Sequence, residues 1–208
     1  MSKETELKLL IAPEAHSQLL SDSLLNGTPC ADQRTFQLQN TYYDTPDQRL
    51  HQARVALRIR EKQGRFIQTL KTRGQSQNGL SQRGEWEWPL ETDQLDTTLL
   101  NGVWPDTLAD IDQSALKPVF TTDFQRTAFT LNWAGEHRAC VELALDLGEI
   151  RAGRQREVIS EVEIELISGS EAALQEIAGQ LRLSVSLEPS DVSKAERGYM
   201  LINHQADV

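Results

Sequence analysis

The chain is short of the residues that build the commonest reactive centres. It has two cysteines, Cys30 and Cys140. They have no metal-ligand spacing, so both are expected to be free thiols of a reducing cytoplasm. Its four histidines, His16, His51, His137 and His204, are scattered. That argues against a zinc site and against a serine–histidine triad, and His51 and His137 are expected at the surface. No apolar run reaches the ~20 residues of a membrane-spanning helix. The first residues are charged and lack a signal-peptide hydrophobic segment, so a cytoplasmic protein is expected. Positive charge is also in deficit, with 21 Lys and Arg against 31 Asp and Glu, a formal net charge of −10. Such a field disfavours nucleic-acid binding through a basic surface. It leaves room for a small polyanion, whose binding depends on where the cations sit.

The 208 residues are 38% hydrophobic and 25% charged, a composition that fits one folded domain over 1–208 with a substantial core. The first patterned stretch is Glu4-Thr5-Glu6-Leu7-Lys8. Side chains alternate in a strand, so Glu4, Glu6 and Lys8 share one face and Leu7 and Leu9 the other. Two carboxylates so placed form a hard-oxygen platform for Mg²⁺ or Mn²⁺. The lysine adds a point charge suited to phosphate.

The same alternation returns along the chain. Val55, Leu57 and Ile59 oppose Arg54, Ala56, Arg58 and Arg60, and a turn at Gly64 leads into a second strand ending near Lys71. That hairpin brings Arg58, Arg60 and Lys71 together, a like-charge cluster that an anion or facing carboxylates would relieve. Arg83, Glu85 and Glu87 oppose Trp86 and Trp88, with Pro89 expected to end the strand. Phe124, Arg126 and Ala128 share a face. Val141, Leu143, Leu145 and Leu147 oppose Glu142 and Asp146. Glu161, Glu163 and Glu165 oppose Val162, Ile164 and Leu166. Between these strands the pattern predicts a helix over 13–25, a turn at 44–47, a mobile linker over 74–79, one or two short helices within 90–116 and a basic turn over 151–156. Ser168 to Glu171 and Ser193 to Glu196 have capping-box spacing, each ahead of an expected helix. Trp86, Trp88, Trp104 and Trp133 are expected to pack in walls rather than stack on a ligand.

Charge of each sign is segregated by strand. Segregation carries self-repulsion, which a ligand or ion can offset. A many-stranded antiparallel sheet can close into a barrel, and eight strands can hold one small ligand. The expected fold is therefore α+β, an eight-stranded antiparallel barrel with a charged lumen and a helical cover. A flat sheet with one solvated face is the alternative.

Taken in order, Glu4-x-Glu6-x-Lys8, Tyr42-Tyr43-Asp44-Thr45-Pro46, Leu57-Arg58-Ile59-Arg60, Thr69-Leu70-Lys71, Glu85-x-Glu87, Glu142 to Asp146, Glu163-Ile164-Glu165-Leu166 and Ser193-Lys194-x-x-Arg197-Gly198-Tyr199 resemble the CYTH superfamily, the triphosphate tunnel metalloenzymes. The nearest likeness is to bacterial inorganic triphosphatases, in which a CYTH domain often precedes a CHAD domain. The resemblance implies Glu4, Glu6, Glu163 and Glu165 as ligands of Mg²⁺ or Mn²⁺, with Asp146 joining or orienting that shell. Glu4, Glu6, Lys8 and Asp146 are the implied catalytic set. It implies Lys8, Arg58, Arg60, Lys71, Arg126 and Lys194 as the grip on triphosphate, with Arg83 within reach. Glu85, Glu87, Glu142 and Glu161 would line the tunnel behind them. The partners implied are triphosphate or a related polyphosphate, and a CHAD domain or a second subunit. The implied reaction is hydrolysis to pyrophosphate and phosphate, the metal bridging phosphate oxygens and activating water. Rival activities are a class IV adenylate cyclase and a thiamine or nucleoside triphosphatase, although no signature of a pocket for an organic group is visible. A non-catalytic polyphosphate-binding module is the rival of another class.

Overall fold

The computed structural model describes residues 2–27 and 30–206. The Cys30 side chain, and with it the expectation for its thiol, lies outside the described residues, while Cys140 is free. Ten strands form one sheet: β1 (Ser2–Ile11), β2 (Cys30–Asp44), β3 (Ala56–Lys62), β4 (Arg65–Lys71), β5 (Gln75–Gln77), β6 (Leu80–Leu90), β7 (Lys117–Ala134), β8 (Arg138–Ala152), β9 (Gln155–Gly169) and β10 (Leu187–Pro189). The order is β10-β1-β9-β8-β7-β2-β3-β4-β6-β5, and β1 also pairs with β6. That pairing closes eight strands, β1-β9-β8-β7-β2-β3-β4-β6, into an antiparallel barrel. Closure depends on β1 being shared. Ser2 to Leu7 pair with β6, and Leu9 to Ile11 pair with β10 on the same edge.

The alternation turns inside out relative to an ordinary sheet, with charge in the middle of the lumen and apolar side chains outward, apart from an apolar cluster at one end of the lumen. Two covers keep that outer wall dry, and a helix closes one end of the lumen. Helices α1 (His16–Leu20), α2 (Ser23–Asn26) and α4 (Ala172–Leu181) cover Leu7, Leu9, Leu143, Val162 and Ile164. The last helix, α5 (Lys194–Ala206), instead closes one end of the lumen, Tyr199 packing on Leu38, Phe120, Phe124 and Ile150, which share the inward strand faces of Asn40, Arg126 and Asp146. The segment after β6 covers Val55, Leu57 and Leu70 with Leu100 and Leu108, joined by Trp86, Trp88 and Trp104. Each fully buried leucine adds roughly 1.5–3 kcal/mol. The tryptophans are wall residues as expected, Trp133 packing with the first cluster. Among the described residues no helix is long and apolar enough to cross a membrane.

Several local expectations are corrected. The segment 74–79 is not a mobile linker. It contains β5, which pairs with β6 across an Asn78–Gly79 turn with φ of 53° and 83°. Those left-handed values suit the tight hairpin turn that Asn-Gly favours. Pro89 does not end β6, for it still lies opposite Ile67 in the β4 pairing. The cover at 90–116 is built of 3-10 turns, Thr97–Leu100, Asp106–Leu108 and Gln113–Ala115, two of them capped by Asp96 and Asp112 side chains. The helix over 13–25 is broken, because Asp22 caps a new start at Ser23. Ser168 to Glu171 form no capping box, and α4 starts without a side-chain cap. At α5 the box is made: Glu196 accepts from the Ser193 backbone N–H at 2.7 Å, and Ser193 Oγ accepts from the Glu196 N–H at 3.1 Å. The turn at 44–47 carries more than a change of direction. The buried Asp44 carboxylate accepts from the N–H groups of Thr45, Leu50 and His51 and from the Tyr199 hydroxyl. It ties helix α3 (Arg49–Gln52) to α5.

Candidate active site

The barrel encloses a cavity of about 170 Å³. Its walls follow from period-two alternation and antiparallel register. Strand β1 supplies Glu4, Glu6 and Lys8, with Glu6 opposite Glu165 and Lys8 opposite Glu163 on β9. Strand β3 supplies Arg58 and Arg60, β4 Lys71, β6 Arg83, Glu85 and Glu87, β7 Arg126, β8 Glu142, and α5 Lys194. Of the residues expected at the site, Asp146 and Glu161 alone do not line the cavity. Both are fully buried behind its wall, against Arg126 and Lys194.

The charges fall into two paired groups and two unpaired places. In the first group Glu4 binds Lys71 Nζ at 2.5 Å and Arg83 Nε at 2.7 Å, while Glu6 reaches Arg83 at 3.3 Å and Lys8 at 3.6 Å. Burial opposes the Glu4 charge, but Lys71 and Arg83 outweigh it and hold its pKa at about 2. In the second group Arg126 binds Asp146 through Nε and Nη2, both at 2.7 Å, and Glu163 at 2.5 Å. Lys194 Nζ donates to Asp146 at 2.7 Å, to Glu163 at 2.9 Å and to Glu161. Glu163 is held well below the usual carboxylate range, because Lys194, Arg126 and Lys8 outweigh its burial. Asp146, Glu161 and Glu163 offer oxygens within 4.8 Å of one another, a carboxylate group at and behind the cavity wall. The Lys194 ammonium sits among them. Glu4, Glu6, Glu163 and Glu165 share the cavity but are not gathered to that degree.

The unpaired places lie on different walls. Arg58 and Arg60 enter no direct ion pair among the described residues; Arg58 hydrogen-bonds the Tyr42 phenol and feels Glu85 and Glu87, but its buried Nε has no hydrogen-bond partner. Burial, with Arg58 and Arg126 nearby, lowers the Arg60 pKa to about 10. Glu165 likewise makes no hydrogen bond or ion pair there. Burial, with Glu4, Glu85 and Glu6 nearby, raises its pKa to about 7 against the pull of Lys71. The basic wall thus has carboxylates nearby but none in direct contact, and Glu165 has no cation in direct contact. Buried charge left in that condition is costly.

Two lumen residues carry no expected role and are nonetheless built into the site. Tyr42 lies opposite Arg58 in the β2–β3 register, and Asn40 lies opposite Arg60. Asn40 accepts from Arg60 Nε at 2.9 Å. The buried Tyr42 ring stacks on Phe120 at 4.4 Å. Burial resists ionisation of its phenol, but Arg58, Lys194 and Arg60 bring its pKa below the ordinary value. Their signal was the period-two face of β2, which places both on the side of the charged rows. His51 is half-buried rather than a surface residue, stacked on Tyr199 at 4.0 Å. His137 is exposed as expected, beside Glu176. A second cavity, of about 660 Å³, opens beside α5 and shares Glu6, Lys8, Lys71 and Arg83 with the first. It gives the charged lumen a roomy mouth where no pocket for an organic group is expected.

Residues 2–199 match the family profile described as CYTH domain. An inorganic triphosphatase of Haemophilus influenzae is 37% identical over 206 residues, which cover 99% of this chain and 56% of that protein. The chain therefore spans about half the length of that curated relative. Among solved structures, a Hippeastrum protein described as an adenylyl cyclase candidate with dominant triphosphatase activity gives a TM-score of 0.63 at 24% identity. It covers 97% of this chain and 96% of that one. A Bacillus halodurans protein described as an adenylate cyclase candidate gives 0.58 at 26% identity, covering 95% and 98%.

Proposed function

This chain belongs to the CYTH domain family, and on that premise we propose that it hydrolyses inorganic triphosphate to pyrophosphate and phosphate with Mg²⁺ or Mn²⁺. The observation that carries the reading is one cavity in which Arg58 and Arg60 face inward with no carboxylate in direct contact and Glu165 with no cation in direct contact. A triphosphate with its divalent ion satisfies both. The activity named for the Haemophilus relative supports the same choice.

In this reading Arg58, Arg60, Lys8, Lys71, Arg126 and Lys194 hold the phosphates, with Arg83 at the shared edge of the two cavities. One Arg–phosphate contact near 4 Å is worth about 4 kcal/mol at an effective dielectric near 20, before desolvation. Several such contacts outweigh the net charge of −10. Carboxylates and phosphate repel, so the acidic wall can serve a triphosphate only through a cation. The carboxylates of Glu4, Glu6, Glu163 and Glu165 are hard oxygen donors suited to Mg²⁺ or Mn²⁺. The unpaired Glu165 fits that role as it stands, and Glu4 would exchange its lysine and arginine partners for it. A bound ion supplies charge neutralisation and a water acidic enough to attack phosphorus. Asp146 orients Arg126 and Lys194, since both its oxygens are engaged by them. Glu85, Glu87 and Glu142 temper the basic wall, and the cations stabilise charge on the departing pyrophosphate. The setting proposed is the cytoplasm.

The test is product analysis after incubation with inorganic triphosphate, ATP and thiamine triphosphate, each with Mg²⁺ or Mn²⁺. Equal yields of phosphate and pyrophosphate, fastest from inorganic triphosphate, are expected. Tight binding without phosphate release would overturn the reading in favour of a binding module. The mouth cavity favours a second reading, an organic triphosphate whose non-phosphate end lies beside α5. Preference for ATP or thiamine triphosphate would select it.

A further inference from the structure

Lys194 is the one phosphate-binding candidate carried by a helix rather than by the barrel wall, so its reach depends on how α5 is docked. Arg197 follows three residues later, on the same side of the helix. Its side chain lies outside the cavity, where its guanidinium joins α5 to β9. Nε donates to Glu157 at 2.5 Å, Nη2 donates to the Val158 carbonyl, and Nη1 donates to Glu161 Oε2 at 2.9 Å. The other oxygen of the fully buried Glu161 accepts from Lys194. One carboxylate is therefore divided between a cation in the lumen and a cation behind it.

Building on the triphosphate reading, we infer that Arg197 is a positioning residue that acts on Lys194 through Glu161. Donors and acceptors at Lys194 are evenly matched. The Lys194 ammonium has three hydrogens and meets three carboxylates, Asp146, Glu161 and Glu163. A phosphate oxygen can gain Lys194 only by displacing one of them. Asp146 and Glu163 are both fastened to Arg126 as well. Glu161 is fastened from behind by Arg197, which fixes its orientation and takes up part of its charge. Without that guanidinium, the second oxygen of Glu161 is left buried and unsatisfied, and its full charge turns toward Lys194. The lysine is then held more tightly by protein and less available to phosphate, while α5 loses its anchor beside the same residue.

The experiment is a double-mutant cycle on Lys194→Met and Arg197→Met, read as the dissociation constant for inorganic triphosphate by calorimetry and as the KM and kcat of phosphate release. Arg197→Met is expected to weaken triphosphate binding and raise KM about tenfold with kcat within about twofold. In the Lys194→Met background the same change should have no effect, since coupled residues are non-additive. Arg197→Lys, which restores a charge behind Glu161, should recover most of the affinity. Glu161→Gln keeps the shape and removes the shared charge, and it should also lose its effect once Lys194 is gone. It runs the cycle independently should Arg197→Met not fold. Equal effects in both backgrounds, or Arg197→Lys behaving like Arg197→Met, would overturn the inference. Binding without turnover by the unaltered chain would sink the hydrolytic reading alone, because the binding cycle still decides the role of Arg197. A chain that does not bind triphosphate overturns both.

Discussion

Gly198→Ala sets two physical effects of opposite sign against each other. In an exposed helix interior the change would stabilise by about 1 kcal/mol. Here a methyl at residue 198 would lie 2.3 Å from Phe120 Cε2, with Cδ2 at 2.5 Å and Cζ at 2.6 Å. Ordinary contact begins at 3.4 Å, so the shortest approach is 1.1 Å too close. The ring cannot swing aside, being stacked on Tyr42 at 4.4 Å and set edge-on to Tyr199 at 5.2 Å. The helix must lift, against the Tyr199–Asp44 hydrogen bond of 2.7 Å. Overpacking of this kind costs about 1–3 kcal/mol. Its upper range applies to so short an approach, leaving a net loss of about 1–2 kcal/mol after the helical gain. In a domain of this size that lowers Tm by roughly 3–6 °C. Lys194 opens the same helix, so triphosphate affinity should fall as well. Thermal denaturation followed by circular dichroism, with calorimetric titration of triphosphate, gives both numbers. An unchanged or raised Tm with unchanged affinity would refute the packing argument and leave α5 a loosely held cover.

The lumen carboxylates and the α5 anchor give three further expectations. With a folded-state pKa of about 7 against 4.5 for the free group, Glu165 binds more proton in the folded state than in the unfolded between those values. Metal-free stability should therefore fall as pH rises from about 4.5 to 7, by up to about 3 kcal/mol from this group. Glu165→Gln should flatten that slope in metal-free melts, and a wild-type slope would refute the assignment. Glu6→Gln should lower metal-dependent phosphate release about 100-fold or more, and full turnover would remove Glu6 from the site. Tyr199→Phe should cost about 1–2 kcal/mol and Asp44→Ala about 3 kcal/mol or more, because the second strands three N–H donors. Denaturant titration checks the order, and equal losses would contradict the central place of Asp44.

The lumen was the most legible part of the molecule because a strand exposes its faces at every second residue. Glu4, Glu6 and Lys8, or Glu161, Glu163 and Glu165, cannot share a strand face without sharing a side of the sheet. Closure was less legible, for it turns on β1 changing partner from β6 to β10 near Leu7. No local pattern encodes such a change. The 74–79 hairpin had its signal in Asn78–Gly79, but the polar composition around it suits a loop equally well. The 3-10 turns after β6 escape helical periodicity because each is too short to repeat. Ion pairing was the least legible. A strand face turns Asp146 toward the lumen side, yet only the docking of α5 puts the Lys194 ammonium between Asp146, Glu161 and Glu163. Asp44 looks like a turn residue in the sequence, and its four donors come from three separate segments.

The central claim is that a divalent ion lets the acidic and basic walls hold one triphosphate between them. Anomalous diffraction from a crystal grown with Mn²⁺ and a non-hydrolysable triphosphate analogue tests it most directly. A manganese peak is expected touching Glu165 and at least one of Glu4, Glu6 and Glu163, with a phosphate oxygen on its other side and Arg58 and Arg60 on the same analogue. An analogue bound with no manganese beside those glutamates, or manganese bound with the analogue elsewhere, would contradict it.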